Sequence, residues 1–488
     1  MKAIFSNSQE VETEAKNRYK FPPFIMMENA ASAMEAAVKN IPAPQKVLIL
    51  CGSGNNGGDG YALARRLCGK IECLVVALGN PKTEEAIVQR QMAEAAGVTI
   101  ISEEAFWEAG GAEKLEKFNV IVDCILGTGF TGDLRENVEK IVDKLNVLSA
   151  YKIACDIPTG LKFKADATIT MGCLKTTLFS DKAKEVCGSI SVADLGIQSC
   201  RFEKCGTPSA FLIEQSDIKL PFRKNKAAHK GTYGHTAVFA GEKSGAGILA
   251  ATAALNFGSG LVTLVKTENS NLEQFKITPE LMISSTIPAN TTSVLIGSGL
   301  GSGEAADKAI KTVTEWYKSA KSPACVLDAD LFGNKNISEI LQALSAARPD
   351  GKIILTPHLK ELKNLYEALF PEKQVSVQEL SLAEKRIEVG KEITNRFPAV
   401  TVIMKSANTF IAHNGESFIC NNGSQSLAKA GSGDVLAGMT AALLAQGYTA
   451  KDAAITAVYV HAAAGASFSE GEGFDLTALK LADSVRNF

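Results

Sequence analysis

The sequence predicts an α/β protein of two three-layer α/β/α domains, residues 1–215 and 216–488. Three observations predict it. At 488 residues the chain is too long for one ordinary core, which points to about two to four domains. Each half alternates short apolar runs with stretches of helical spacing, the pattern of a mostly parallel sheet covered on both faces. Between the halves, "GTPSAFLIEQSDIKLPFRKNKAAHKGTYG" (206–234) is polar, basic and Pro-bearing. It reads as a linker, with the boundary near residue 216.

The elements follow in order. The opening "SQEVETEAKNRYKF…MMENAASAMEAAVKNI" reads as helices before the first strand. Strands are predicted at "KVLIL" (46–50), "CLVVAL" (73–78), "VTII" (98–101), "VIVDCI" (120–125), "KIACDI" (152–157) and "SISVADL" (189–195). Between them "AIVQRQMAEAAG" and "NVEKIVDKLNVLSA" have helical spacing. The second half repeats the alternation with "HTAVFAG", "LVTLV", "SVLIGSG", "ACVLDADL", "KIILTPH" and "VTVIMKS", then a long helical region from Gly433 to about Ser467.

Composition narrows the function. With 46% hydrophobic and 21% charged residues, the chain can bury sizeable cores. A net charge of −2 gives no general surface for nucleic acid or membrane. Eleven cysteines, nine before residue 206 and none in C-x-x-C, read as buried free thiols in a reducing compartment. There is no signal-peptide pattern and no apolar run of membrane-spanning length, so a cytoplasmic protein is expected. All five histidines lie in the second half. Acid–base chemistry in the first half therefore falls to carboxylates.

"CGSGNNGGDGYALARRL" (51–67) sits between a strand and a helix expected from about Asp59. It contains G-x-G-x-x-G, but a dinucleotide coenzyme site wants an acidic residue at the end of the next strand. "VVALGN" (75–80) has none, and the G-K-[ST] of an ATP loop is also absent. What remains is an anion cradle with Asn55, Asn56 and Asp59 aimed into a crevice. Two more strands end in aspartate, Asp123 in "VIVDCILGTGFTGD" and Asp156 in "IACDIPTGL". Gly127, Gly129 and Gly132 offer a second anion loop. Asn56, Asp123 and Thr159 supply only oxygen donors, so an ion held there would be hard.

"MENAASA", "GNNGGDGY", "VDCILGTGFTG" and "CDIPTGL" resemble the NAD(P)H-hydrate epimerase domain over residues 1–215. The resemblance implies a Rossmann-like fold. It also implies a substrate that is a nicotinamide nucleotide hydrated on its ring, whose R and S forms at C6 are interconverted. Substrate binding is implied for Asn55, Asn56, Gly57, Gly58, Asp59, Gly127, Thr128, Gly129, Phe130, Thr131, Gly132 and Asp133, with Asp156 at the reacting centre. Potassium is implied on Asn56, Asp123 and Thr159.

In the second half, "AKAGSGDVLAGMTAALLAQG" (428–447) is a glycine loop opening a helix. Backbone N–H groups of residues 431–433 can form an anion hole. Asp434, in that positive field, is expected to stay ionised and to take a proton from a hydroxyl. Lys405 is a candidate phosphate binder and His358 a candidate substrate contact, while His461 on an Ala-rich helix reads as packing. "HKGTYGH", "GSGLG", "VLDADL", "LTPH" and "GSGDVLAG" resemble the ADP/ATP-dependent NAD(P)H-hydrate dehydratase over about residues 220–488. That resemblance implies a ribokinase-like domain that phosphorylates the S-hydrate hydroxyl and then eliminates phosphate. Asp434 would be the base. Ala246, Gly299 and His358 would touch the hydrate, and Lys405, Ser406, Ala407, Asn408, Thr409 and Gly433 the nucleotide. ADP is favoured over ATP, with Mg2+ as its counter-ion, and a homo-oligomer is expected. The chain departs from the family pattern at Ser406, Ala430, Leu359 and Lys360.

Two rival readings stay open at this stage. A ribokinase-type small-molecule kinase would account for the second half only. A binding or scaffold module would account for the first, although Asp59, Asp123 and Asp156 are all present.

Overall fold

The computed structural model describes residues 1–42, 46–108, 115–130, 132–321, 323–468 and 474–487. The chain divides into two compact units. One is Ala3–Ser209; the other is Met1–Lys2 with Ala210–Phe488.

The first unit is built on a seven-stranded sheet. Its order is Thr99–Ser102, Glu72–Ala77, Lys46–Cys51, Val120–Cys124, Tyr151–Cys155, Ala167–Met171, Ser189–Ala193, all parallel. Side chains alternate across such a sheet. Val47, Ile49 and Cys51 accordingly enter one core with Met34, Val38 and Leu67. Leu48 and Leu50 enter the other with Val138, Ile141 and Leu145. Both faces are buried, which is why these strands read as unbroken apolar runs. The chain first builds outward on one side of Lys46–Cys51 and then returns to its other side with Val120–Cys124. That reversal makes a crevice at the carboxyl ends of these strands, the usual ligand position in such folds.

The sequence reading needs correcting at several points. The first element is a strand, Lys2–Phe5, whose Ile4 pairs with Leu174. The strand Ala167–Met171 was not predicted; its "ATITM" mixes threonines into a short run. The helix after the glycine loop starts at Asn55 rather than about Asp59. Glycines hid it, because Gly57, Gly58 and Gly60 lie inside the helix where they weaken any propensity signal.

The second unit carries parallel strands in the order Met282–Ser284, Leu261–Lys266, His235–Ala240, Ser293–Ile296, Ala324–Leu327, Lys352–Leu355, Val400–Met404. The antiparallel Thr409–His413 and Glu416–Cys420 follow. Ala210–Leu212, inside the stretch read as a linker, pairs with Glu416–Cys420. One face packs on Ser244–Asn256, Ser432–Ala445 and Ala450–Ala466. The last two are separate helices where one long region was expected. A Cβ on Gly438 would lie 2.0 Å from the Ala250 oxygen, so glycine lets two of these helices touch backbone to backbone. All eleven cysteines are free thiols. Among the described residues no helix is long and apolar enough to cross a membrane.

Candidate functional site

In the first unit, three strand ends open on a crevice of about 620 Å³. Asn55, Asn56 and Asp59 line it from the helix Asn55–Leu67, Gly127, Thr128, Gly129 and Phe130 from the loop after Val120–Cys124, and Asp156 from the end of Tyr151–Cys155. Gly57 and Gly58 lie beneath. A Cβ on Gly57 would stand 1.9 Å from the Gly52 oxygen, and one on Gly58 2.7 Å from Met27 Cε. These two glycines let the loop fold tightly rather than face a ligand. Gly132 and Asp133 are not among the lining residues, and Thr131 lies outside the described residues.

The loop after Cys124 ties the predicted residues together one at a time. Ile125 N donates to Asp123 Oδ1 at 3.1 Å. Leu126 N donates to Thr159 Oγ1 at 3.2 Å. A Cβ on Gly127 would be 2.9 Å from Asp156 Oδ2 and 3.4 Å from the Asn56 amide, so no side chain fits there. Thr128 donates to Asp156 Oδ2 from N at 3.0 Å and from Oγ1 at 2.5 Å. Behind the loop, Thr159 donates to Asp123 through N at 2.8 Å and Oγ1 at 2.7 Å. Asp123 is fully buried, and burial pushes its carboxyl up to about 6.

Asp156 is a non-glycine residue in the left-handed region, φ 71°. Such conformations cluster at functional sites. Burial alone would raise its carboxyl. The Lys175 ammonium, bonded to Asp156 Oδ1, outweighs that and holds it below the ordinary carboxylate range. Asp59 is pushed the other way, by burial first and then by the negative charge of Asp156. Two carboxylates of one crevice with pKa values driven apart form a natural acid–base arrangement.

Sequence reasoning missed Lys175. It lies in "CLKTTLF" with no motif around it, and the only signal was a lysine inside an apolar run, a place where lysine needs a partner. Reasoning also missed Gln9, Glu12 and Lys16 on the helix Ser8–Tyr19, which line the crevice.

In the second unit, Gly431 (φ 91°) caps the helix Ser432–Ala445; Ser432 N donates to the Lys429 oxygen at 3.2 Å, and the N–H groups of Gly433 and Asp434 follow in the first turn. Asp434 sits in that first turn. Burial, then the charge of Asp328, raises it to about 6. The expected pull of the helix end toward a low value is therefore overridden. Lys405 Nζ lies 3.2 Å from where a Gly433 Cβ would stand, and it bonds Asp328 Oδ1 at 3.1 Å. Asp328 also accepts from Ser298 Oγ at 2.8 Å and Thr356 Oγ1 at 2.6 Å. This buried carboxylate joins four loops, a role the "LDAD" motif alone did not reveal. Ala246 Cβ lies 3.0 Å from the Cβ position of Gly299, which has φ 63°.

His358 caps the helix Leu359–Leu369: Glu361 N donates to its Nδ1 at 3.2 Å, and its Nε2 pairs with the Glu361 carboxylate at 3.1 Å. Its neighbour across the sheet is Lys405. Ser406, Ala407 and Asn408 form the turn after Lys405, before Thr409 starts the next strand. The buried Arg386 donates to the Asn408 oxygen at 2.8 Å and fixes that turn. His461 packs as expected, with Nε2 2.9 Å from the Ser432 oxygen, and burial lowers it to about 4.

Among the described residues no group of three or more His, Cys, Asp or Glu is disposed to hold a metal ion. Asn56, Asp123 and Thr159 offer oxygen donors instead. Both amide atoms of Asn56 are buried without a hydrogen-bond partner; a hard cation would satisfy the oxygen, while the NH2 calls for a ligand acceptor.

Comparison with known proteins divides the chain the same way. The family described as NAD(P)H-hydrate dehydratase matches residues 236–487. The one described as YjeF-related protein N-terminus matches residues 23–177. A bifunctional NAD(P)H-hydrate repair enzyme, Nnr, of Helicobacter pylori is 39% identical over 498 residues, covering 100% of both chains. Its Escherichia coli counterpart is 30% identical, covering 90% of this chain and 84% of that one. A solved ADP/ATP-dependent NAD(P)H-hydrate dehydratase of Bacillus subtilis, co-crystallized with ATP and Mg2+, is 26% identical with a TM-score of 0.44. It covers 54% of this chain and 92% of that one.

Proposed function

This chain belongs to the family of bifunctional NAD(P)H-hydrate repair enzymes, and we propose that its two units divide the work as follows. Residues 1–215 interconvert the R and S hydrates of NAD(P)H, and residues 216–488 dehydrate the S form at the expense of ADP. The observation that carries the first half is the ionised Asp156, held in a left-handed backbone at the floor of the crevice. It accepts the proton of the C6 hydroxyl. Asn55, Asn56, Asp59 and residues 127–130 hold the dinucleotide. Gly57 and Gly58 shape the loop, and Gly132 and Asp133 take only an outer part.

A potassium ion would be held by Asn56, Asp123 and Thr159. The unpartnered Asn56 Oδ1 and the all-oxygen donor set support it. Bound there, it supplies a fixed positive charge beside the anion cradle.

In the second unit Asp434 takes the hydroxyl proton of the S-hydrate, and the freed oxygen attacks the terminal phosphorus of ADP. The N–H groups at the start of Ser432–Ala445, together with Lys405, stabilise the transferring phosphoryl group. Phosphate then leaves C6 and a proton leaves C5, whose C–H electron pair forms the ring double bond; this restores NAD(P)H, with AMP, phosphate and a proton as the other products. Ala246, Gly299 and His358 border the hydrate; Ser406, Ala407, Asn408, Thr409 and Gly433 border ADP, with Mg2+ as counter-ion. The closeness of Lys405 to Gly433 beside Asp434 supports this half.

The test feeds S-hydrate and ADP to the wild type and to Asp434→Ala. Loss of AMP formation by about 10²–10⁴-fold is expected; an unchanged rate overturns the assignment.

A further inference from the structure

We propose that Lys175 is a catalytic residue of the first crevice, the proton donor that works with Asp156 on the hydrated ring. The inference rests on reading this unit as the epimerase. Lys175 is 4% exposed yet lines the crevice beside Asp156. Its ammonium has three acceptors: Asp156 Oδ1, Thr170 Oγ1 at 2.8 Å and the Met171 oxygen at 3.1 Å. Two of these are neutral, and either can yield to a substrate atom without breaking the ion pair. Thr128, Thr170 and the Met171 N–H also bind the Asp156 carboxylate, so it needs no lysine merely to be hydrogen-bonded. Purely structural buried pairs are often replaceable by apolar residues. This one faces a ligand-sized cavity.

The chemistry asks for such a pair. C6 of the hydrate carries both a hydroxyl and the ring nitrogen. Asp156 takes the hydroxyl proton, and C6 becomes an aldehyde carbonyl as the C6–N bond breaks. The electron pair of that bond goes to the ring nitrogen, conjugated with the adjoining double bond and carboxamide, and Lys175 protonates that nitrogen. The proton now on Asp156 passes to Lys175 along the hydrogen bond that joins them, which restores both groups. Rotation about the C5–C6 bond presents the other aldehyde face, and the reverse sequence closes the ring in the opposite configuration. Protons and electrons balance with no oxidant, reductant or cofactor.

The experiment uses the full chain and follows R-hydrate loss above its spontaneous rate, with S-hydrate dehydration as the report of a folded, active chain. Lys175→Met should lower epimerase kcat by about 10²–10⁴-fold with KM changed far less. Lys175→Arg should recover part of that rate. Lys175→Ala should be rescued by added propylamine in a concentration-dependent way, an effect that a packing role does not give. If Lys175→Met does not fold, the Arg and Ala variants still decide the matter. A Lys175→Met rate within twofold of wild type overturns the proposal, as does a folded Lys175→Ala variant that amine does not rescue. An Asp156→Asn variant with wild-type epimerase rate overturns instead the reading of this unit as an epimerase.

Discussion

At the scale of single residues, the two aspartates proposed as bases are tuned in opposite directions. Asp156 is held ionised by Lys175 against its burial. Asp434 is raised to about 6 by burial and by Asp328. Replacing Asp156 by Ala should lower epimerase activity by about 10²–10⁴-fold, measured as R-hydrate loss above the spontaneous rate. It also leaves the Lys175 ammonium buried and unpaired, an expected cost of about 3–5 kcal/mol that urea unfolding would register. For Asp434 the sign follows from its role. A base works only when ionised, and its folded value lies above the ordinary 3.8. Dehydratase kcat/KM should therefore be flat near neutrality and fall as pH drops through about 6, and Asp434→Asn should show no such limb at its residual rate. A wild-type profile flat down to pH 5 would speak against Asp434 as the base.

At the scale of elements, the sites depend on glycines that allow close approach. A Cβ on Gly127 would stand 2.9 Å from Asp156 Oδ2 and push on that carboxylate. Gly127→Ala should therefore cost epimerase activity tenfold or more while the melting temperature moves little. A Cβ on Gly438 collides with the Ala250 backbone between two core helices. Gly438→Ala should instead destabilise the second unit by about 2–3 kcal/mol, visible as a lower urea midpoint. The same glycines set what the sequence could reveal. Val- and Ile-rich runs buried on both faces gave most strands to within a residue or two. The helix Asn55–Leu67 was mis-started because three glycines sit in its first two turns. Lys2–Phe5 and Ala210–Leu212 were missed because each is short and gains its stability from a distant partner strand. Asp59, Asp123, Asp156 and Asp434 were legible because strand ends and a helix start announce them. Lys175 and the helix Ser8–Tyr19 reach the crevice only through tertiary packing, which no local pattern records.

At the scale of the whole molecule, the chain carries two units, each with its own hydrophobic core and its own cluster of candidate site residues. Every residue proposed for epimerisation lies in one, and every residue proposed for dehydration in the other. The rival reading as a small-molecule kinase would leave the first crevice without a substrate, whereas the family places both under one repair task. Substitutions at the two bases should thus be separable. Asp434→Ala should abolish AMP formation and keep epimerisation, and Asp156→Ala the reverse. The most direct measurement is ADP-driven consumption of pure R-hydrate. The wild type should consume it faster than spontaneous epimerisation permits, each single variant should not, and an equimolar mixture of Asp156→Ala and Asp434→Ala should regain consumption because the released S-hydrate is shared. Consumption of R-hydrate by Asp156→Ala alone at the wild-type rate would contradict the account.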